Sequence, residues 1–206
     1  MFAIRFAATL FAVALLAGLS LPASAQEVQK PTYKVGEWCD YRDNFGNDFR
    51  QTVTEVAPDG GFTLVSEGET YTKGVRRYNS NHELLLLNDR AYVPAWSSAR
   101  FPLKVGQSGT LPTFTYAITS GVTTAKPTLE SITIEAVKVP AGAFESLVSK
   151  VVVKYTREHG RTNQFVVTTW WALSPSIRWP IKRIFLDHGN EKNRANGEME
   201  LVRCGN

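Results

Sequence analysis

The stretch LVSKVVVKYTREHGRTNQFVVTTWWAL, residues 147–173, carries the strongest structural signal in the sequence. In its first half, Val151, Val153 and Tyr155 fall on one side of an extended chain, and Lys154 falls on the other. Alternation of apolar and polar residues with a period of two is typical of a strand with one packed and one solvated face. Residues 147–157 are therefore predicted to form a β-strand.

The second half of this stretch predicts a partner for that strand. His159 and Gly160 are suited to a tight turn, and the apolar alternation resumes at residues 162–173. Two such runs joined by a short turn favour an antiparallel hairpin. Adjacent Trp170 and Trp171 must then point to opposite faces of the sheet.

The rest of the chain has the same character, and no segment shows a long apolar period of 3.6 residues. Runs rich in Val, Ile, Thr, Phe and Tyr alternate with Gly, Pro and Asn, which favour turns. The four leucines at 84–87 fit either a helical turn or a buried strand. Further strands are predicted at 33–41, 48–57, 61–67, 83–87, 113–118, 129–139, 181–187 and 197–203.

About ten strands fit a barrel, a half-barrel or a sandwich. We expect a mainly β protein with little helix, built as a single curved antiparallel sheet or a partly open barrel of about ten strands.

The first 25 residues have the three parts of a cleavable export signal. Arg5 is their only charged residue, an apolar run follows at 6–21, and the small-residue site PASA ends at residue 25. The 16-residue run is shorter than the roughly 20 residues that span a bilayer. We expect a signal peptide at 1–25 and one β-rich domain at 26–206, in the periplasm of a Gram-negative cell or secreted, with no membrane span after cleavage.

Two cysteines, Cys39 and Cys204, stand near the two ends of that domain. In an oxidising compartment an isolated pair favours a disulfide, and its chain-entropy contribution over so long a loop is roughly 4–5 kcal/mol. Such a bond requires the first and last strands to be neighbours, with Cα atoms about 5–6 Å apart. A redox or metal role is less favoured, because the sequence has no C-x-x-C motif and no histidine cluster.

The charge balance argues against a nucleic-acid partner. The chain has 23 basic and 19 acidic residues, spread without a dense basic stripe. The densest group is Arg178, Lys182 and Arg183, for which a solvated face is favoured over a site for an anionic ligand.

No motif indicates catalysis. His82, His159 and His188 stand apart from one another, and the sequence has no G-x-S-x-G elbow, Walker loop, G-x-G-x-x-G fingerprint or EF-hand loop. We therefore predict no catalytic residues, no metal ligands, no cofactor and no enzymatic activity. A hydrolase site assembled from distant residues stays open as an alternative.

The aromatic residues offer the best candidate for a binding site. Trp170, Trp171 and Trp179, with Phe165 on the same predicted hairpin, could form a wall against an apolar ligand. The competing interpretation is that these side chains are packed in the core.

Three short motifs carry a resemblance to a known group: GEWCDY at 36–41, PLKVG at 102–106, and VPAGAF at 139–144 followed by WWALSP at 170–175. The chain resembles uncharacterised proteobacterial periplasmic β-rich proteins, and in style it is similar to the half-barrels of the outer-membrane lipoprotein-carrier superfamily. That resemblance implies a curved antiparallel sheet sheltering an acyl chain.

Two functions remain besides the hydrolase. The first is a non-enzymatic periplasmic binding or envelope-associated protein whose curved sheet holds a lipid or another apolar ligand. The second is an interaction module that recruits other envelope proteins through exposed aromatics or an open sheet edge.

Overall fold

The computed structural model describes residues 26–69, 73–119, 121–188 and 197–206. Every regular element in these ranges is a β-strand, which confirms the predicted fold class. The predicted signal sequence at 1–25 lies outside the described residues. The described ranges hold no helix with the length and apolarity needed to cross a membrane.

The residues that the structure describes form sixteen strands. They are β1 Glu27–Val28, β2 Trp38–Asp43, β3 Asp48–Val56, β4 Phe62–Glu67, β5 Gly74–Tyr78, β6 Leu84–Leu87, β7 Arg90–Trp96, β8 Leu103–Lys104, β9 Gly109–Thr110, β10 Phe114–Ile118, β11 Gly121–Leu129, β12 Thr133–Val139, β13 Gly142–Arg157, β14 Thr162–Ala172, β15 Pro180–Asp187 and β16 Gly197–Gly205.

Twelve of these strands form a closed antiparallel barrel. Its order is β13, β14, β15, β16, β2, β3, β4, β5, β6, β7, β10 and β11, and β11 then pairs with β13 through residues such as Ala125 and Tyr155. The half-barrel implied by the resemblance is thus wrong, because this last pairing closes the ring. Closure removes the two free edges that an open sheet would expose.

Strand β13 makes the closure possible because it is 16 residues long. Along one edge, its first half pairs with β12 and its second half pairs with β11. Along its other edge it pairs with β14 over eleven residue pairs, in the predicted hairpin. The predicted faces are confirmed, since Val151, Val153 and Tyr155 are buried inside the barrel while Lys154 is exposed.

Each of the ten predicted strands overlaps an observed one, and the four leucines at 84–87 form β6. Six strands of the described residues were missed: the two-residue strands β1, β8 and β9, and the longer strands β5, β7 and β11. Strands β7 and β11 contain Pro94 and Pro127, and prolines count against a strand because they cannot donate to the ladder. Strand β5 contains adjacent Arg76 and Arg77, which interrupt the apolar alternation.

The disulfide between Cys39 and Cys204 is confirmed. Strands β2 and β16 are neighbours, and the two cysteines lie directly opposite each other with Cα atoms 4.0 Å apart. This spacing is shorter than expected from the sequence. The bond joins the two ends of the described domain.

The two ends of the barrel differ. At one end lie the hairpin turns after β2, β6 and β13, and we call this end the rim. The opposite end is closed by a cluster that we call the aromatic plug. It consists of Tyr33, Phe62, Tyr78, His82, Phe101 and Trp171.

Rings in the plug lie in direct contact. The centroids of Phe62 and Tyr78 are 4.7 Å apart, and those of Phe101 and Trp171 are 5.1 Å apart at a steep angle. The first pair is stacked and the second is edge-to-face, and both geometries are favoured between aromatic rings. The plug therefore closes this end of the barrel with packed side chains.

Candidate functional site

A cavity of about 810 Å³ extends from the rim into the barrel. Exposed turn residues such as Phe45 stand at its mouth, and Tyr78 of the aromatic plug lies among the residues of its wall. The wall comes from inward-facing residues of most barrel strands, because alternate residues of a strand point to the same side. The cavity is thus the part of the barrel interior that side chains leave open.

Most of the wall is apolar and aromatic. Tyr92 and Phe114 meet with ring centroids 5.6 Å apart, and Phe165 and Phe185 meet at 5.1 Å. Val167 lies between strands β13 and β15 and is 3% exposed. A wall of this kind can hold an apolar group away from water.

Among the described residues, four arginines interrupt the apolar wall: Arg76, Arg90, Arg157 and Arg183. Arg90 opens β7 and Arg157 ends β13, so both stand near the rim. Arg183 precedes the rim end of β15 by four residues and lies deeper.

Two phenols of the wall remain protonated donors. Burial raises the pKa of Tyr92 and of Tyr116 above the ordinary value, in each case against the opposing charge of Arg90. The hydroxyl groups are therefore neutral at physiological pH and can donate to an acceptor in the cavity.

The structure separates the four aromatic residues predicted to bind a ligand. Phe165 lines the cavity, and Trp171 lies in the plug, 2% exposed. Trp170 points to the outer face, where its Nε1 donates to Glu135 of β12 over 3.1 Å. Trp179 packs outside the cavity wall against Tyr33, with centroids 5.0 Å apart. Their role in ligand binding stays a prediction.

The basic group predicted to form a solvated face is divided by the sheet. Lys182 faces outward and pairs with Glu200 over 2.8 Å. Arg178 pairs with Glu37. Arg183 instead points into the cavity, so the prediction of a solvated face is wrong for this residue. The inward-pointing arginines were not predicted. The strand predictions expect apolar side chains on the inner face of a strand, and an arginine does not fit that pattern.

The described residues contain no group of three or more His, Cys, Asp and Glu side chains that could hold a metal ion. Of the histidines, His159 lies in the turn between β13 and β14, and His188 directly follows β15. His82 lies apart from both, in the aromatic plug.

The enclosure of His82 predicts a pH dependence of stability. Burial lowers its pKa to about 3, and the positive charge of Arg183 acts in the same direction. An unfolded chain takes up this proton near pH 6.5. Between pH 6.5 and about 3 the unfolded state therefore binds more protons, so stability falls as the pH falls, by up to about 1.4 kcal/mol per pH unit.

We expect the free energy of unfolding to drop by about 2 kcal/mol from pH 6.5 to 4.5, measured by urea denaturation. In His82→Asn this slope should be largely lost. Asparagine tolerates the positive φ of 66° at this position, so the backbone is preserved. If the variant keeps the same dependence of stability on pH, His82 takes up its proton over the same pH range in the folded and the unfolded protein, and this prediction is wrong.

No protein-family model matches the sequence, and no curated protein matches it. Among solved structures, the hypothetical lipoprotein YmcC of Escherichia coli K12 is 14% identical with a TM-score of 0.48, covering 82% of this chain and 85% of that chain. A protein inferred to be exported, with a YmcC-like fold, from Bacteroides fragilis has the same identity and TM-score, covering 86% and 99%.

An inferred lipoprotein from Parabacteroides distasonis is 10% identical with a TM-score of 0.43, covering 86% of this chain and 98% of that chain. At such identities the comparison concerns the general course of the chain alone.

Proposed function

We propose that this protein is a non-enzymatic binding protein of the periplasm whose barrel holds one apolar, acyl-type ligand. The observation that carries this proposal is the cavity of about 810 Å³ with an aromatic and aliphatic wall. Protein interiors are otherwise packed with few voids larger than a water molecule. A cavity of this size inside a β-barrel is therefore a candidate site for a ligand.

The dimensions of the cavity support a small-molecule ligand. Sites for small molecules measure roughly 300–1,000 Å³ and combine apolar walls with a few polar groups. One end of this cavity is closed by the plug, while the other ends at the rim beside exposed Phe45. A chain-like apolar ligand would enter at the rim and lie along the barrel axis.

Filling the cavity should weaken binding of an apolar probe. Leu87 lines the cavity, whereas Leu86, its neighbour on β6, points to the other side of the sheet. We expect Leu87→Trp to raise the dissociation constant of N-phenyl-1-naphthylamine about tenfold, because the added ring occupies the ligand's volume. The probe's fluorescence rises in apolar surroundings, so a titration measures binding directly.

Leu86→Trp is the matched control and should bind the probe as the wild type does. Equal binding by wild type and Leu87→Trp would place the probe outside the barrel. Absence of any fluorescence increase with the wild type, together with no lipid co-purifying in native mass spectrometry, would contradict the proposal.

A further inference from the structure

We infer that the cavity selects an amphiphile with an anionic head group, a carboxylate or a phosphate, an inference that rests on the proposed function above. The basis is the set of four arginines that project into an otherwise apolar cavity: Arg76, Arg90, Arg157 and Arg183. A guanidinium keeps its charge at every physiological pH.

Several arginines elsewhere on the barrel form ion pairs with aspartate carboxylates. Arg50 and Arg203 both donate to Asp40, over 2.8 and 2.9 Å, and Arg42 binds Asp48 over 2.8 Å. By contrast, within the described part of the chain, no cavity arginine lies within 4.0 Å of a carboxylate oxygen. The four cavity arginines therefore carry positive charge that no carboxylate of the described residues pairs with.

The contacts that the cavity arginines do make are to neutral groups. Arg76 donates from Nη1 to Ser66 Oγ over 2.8 Å. The guanidinium of Arg90 lies 5.1 Å from the ring centroid of Tyr116. These contacts orient the side chains and leave most of the N–H donors of each guanidinium for a ligand.

Two of the cavity arginines also have a buried hydrogen-bond donor in their own side chain. The Nε atoms of Arg157 and Arg183 are inaccessible to solvent and have no hydrogen-bond acceptor among the described residues. Buried polar groups are nearly always paired, and an uncompensated buried charge is costly. An anionic group in the cavity would supply the acceptor that these donors need.

The carboxylates of the cavity wall already have partners. Asp43 accepts hydrogen bonds from two backbone amides of the turn that follows it, each over 2.8 Å. Asp187 accepts from the hydroxyl of Tyr155 over 3.3 Å, and Glu198 pairs with Lys182. Among the described residues of the wall, three carboxylates therefore face four guanidinium groups, and their balance is positive.

The chemistry of the donors defines the head group. Guanidinium groups match carboxylates and phosphates with pairs of parallel N–H···O bonds, and such bonds strengthen where water is excluded. The apolar and aromatic wall around them suits the hydrocarbon part of the same molecule. A neutral amphiphile would leave the arginines unpaired when it displaced water.

The inference is tested by displacing N-phenyl-1-naphthylamine from the mature protein with ligands of equal chain length. Dodecanoate and dodecyl phosphate are the anionic competitors, dodecanol is the neutral one, and inorganic phosphate tests the free anion. We expect the two anions to bind roughly 10- to 100-fold more tightly than dodecanol, as charge-assisted hydrogen bonds allow. Inorganic phosphate should not displace the probe.

The double variant Arg76→Met, Arg183→Met should reduce this preference to within about threefold of unity while still binding dodecanol. Arg77→Met is the matched control, because Arg77 is exposed on the outer face of β5, and it should keep the preference. If the double variant does not fold, the ratio of the wild-type affinities for dodecanoate and dodecanol tests the inference by itself.

Equal affinity of the wild type for dodecanoate and dodecanol would overturn the inference and leave the proposed function intact. Displacement by inorganic phosphate alone would also overturn it, because the site would then bind a free anion. Failure of the neutral and the anionic amphiphiles alike would contradict both this inference and the proposed function.

Discussion

Replacing both cysteines with alanine is expected to lower the free energy of unfolding by about 2–5 kcal/mol. The bond between Cys39 and Cys204 closes a loop with a sequence separation of 165 residues, so it restricts the unfolded chain strongly. It also fixes β16 against β2, one of the two neighbours between which the last strand lies in the barrel. Urea denaturation followed by tryptophan fluorescence would measure the loss.

Reduction offers an internal control for this prediction. Wild-type protein unfolded in the presence of dithiothreitol should match Cys39→Ala, Cys204→Ala to within about 1 kcal/mol, because both lack the same cross-link. A double variant as stable as the oxidised wild type would contradict the disulfide or its stabilising role.

Replacing Trp171 with alanine is expected to destabilise the protein by about 3–5 kcal/mol, the usual cost of removing a large buried aromatic side chain. Trp171 is 2% exposed, and its ring contacts Phe101 and His82 in the aromatic plug that closes one end of the barrel. Alanine would leave a void between these two rings that the surrounding strands cannot easily close. Thermal and urea denaturation would both measure the effect.

Trp171→Phe separates the packing of the ring from its polar atom. The indole Nε1 is buried without a hydrogen-bond partner among the described residues, so its removal loses no such bond. The phenylalanine variant should therefore be clearly more stable than the alanine variant. If Trp171→Ala unfolds within about 1 kcal/mol of the wild type, the plug is not packed as described.

Much of the barrel could be predicted from the sequence because its best strands follow a simple rule. In β13 and β14 the inner face is apolar, so Val153 and Phe165 were assigned to the correct side from alternation alone. The pairing of β2 with β16 followed from two cysteines in a chain that the sequence predicts to be exported. Both inferences need only local patterns or a single covalent constraint.

The rest of the barrel escaped prediction because its inner face is not uniformly apolar. Strands β5 and β7 turn Arg76 and Arg90 inward, and a charged inner position breaks the expected pattern. The closing strand β11 carries Pro127 opposite Val153, and a proline counts against a strand. The missed strands thus include β5 and β7, which supply two of the four arginines of the candidate site.

Closure itself was beyond sequence reasoning for a further reason. An open sheet and a barrel place the same alternation on each strand, and they differ only in whether the two strands at the edges of the sheet pair with each other. The division of β13 between β12 and β11 decides this, and it depends on long-range pairing. Whether side chains fill the interior is likewise a property of the assembled barrel.

The most direct test of the central claim, that the barrel interior receives the hydrocarbon chain of a ligand, is an NMR measurement with uniformly ¹³C-labelled dodecanoate. Intermolecular NOEs report contacts between the ligand chain and protein methyl groups. Val167 lines the cavity, whereas its neighbour Val166 is buried on the opposite face of β14. We expect NOEs from the ligand chain to the methyl groups of Val167 and Leu87 and none to those of Val166. Contacts confined to exposed residues such as Val35 or Val122, with none to Val167, would contradict it.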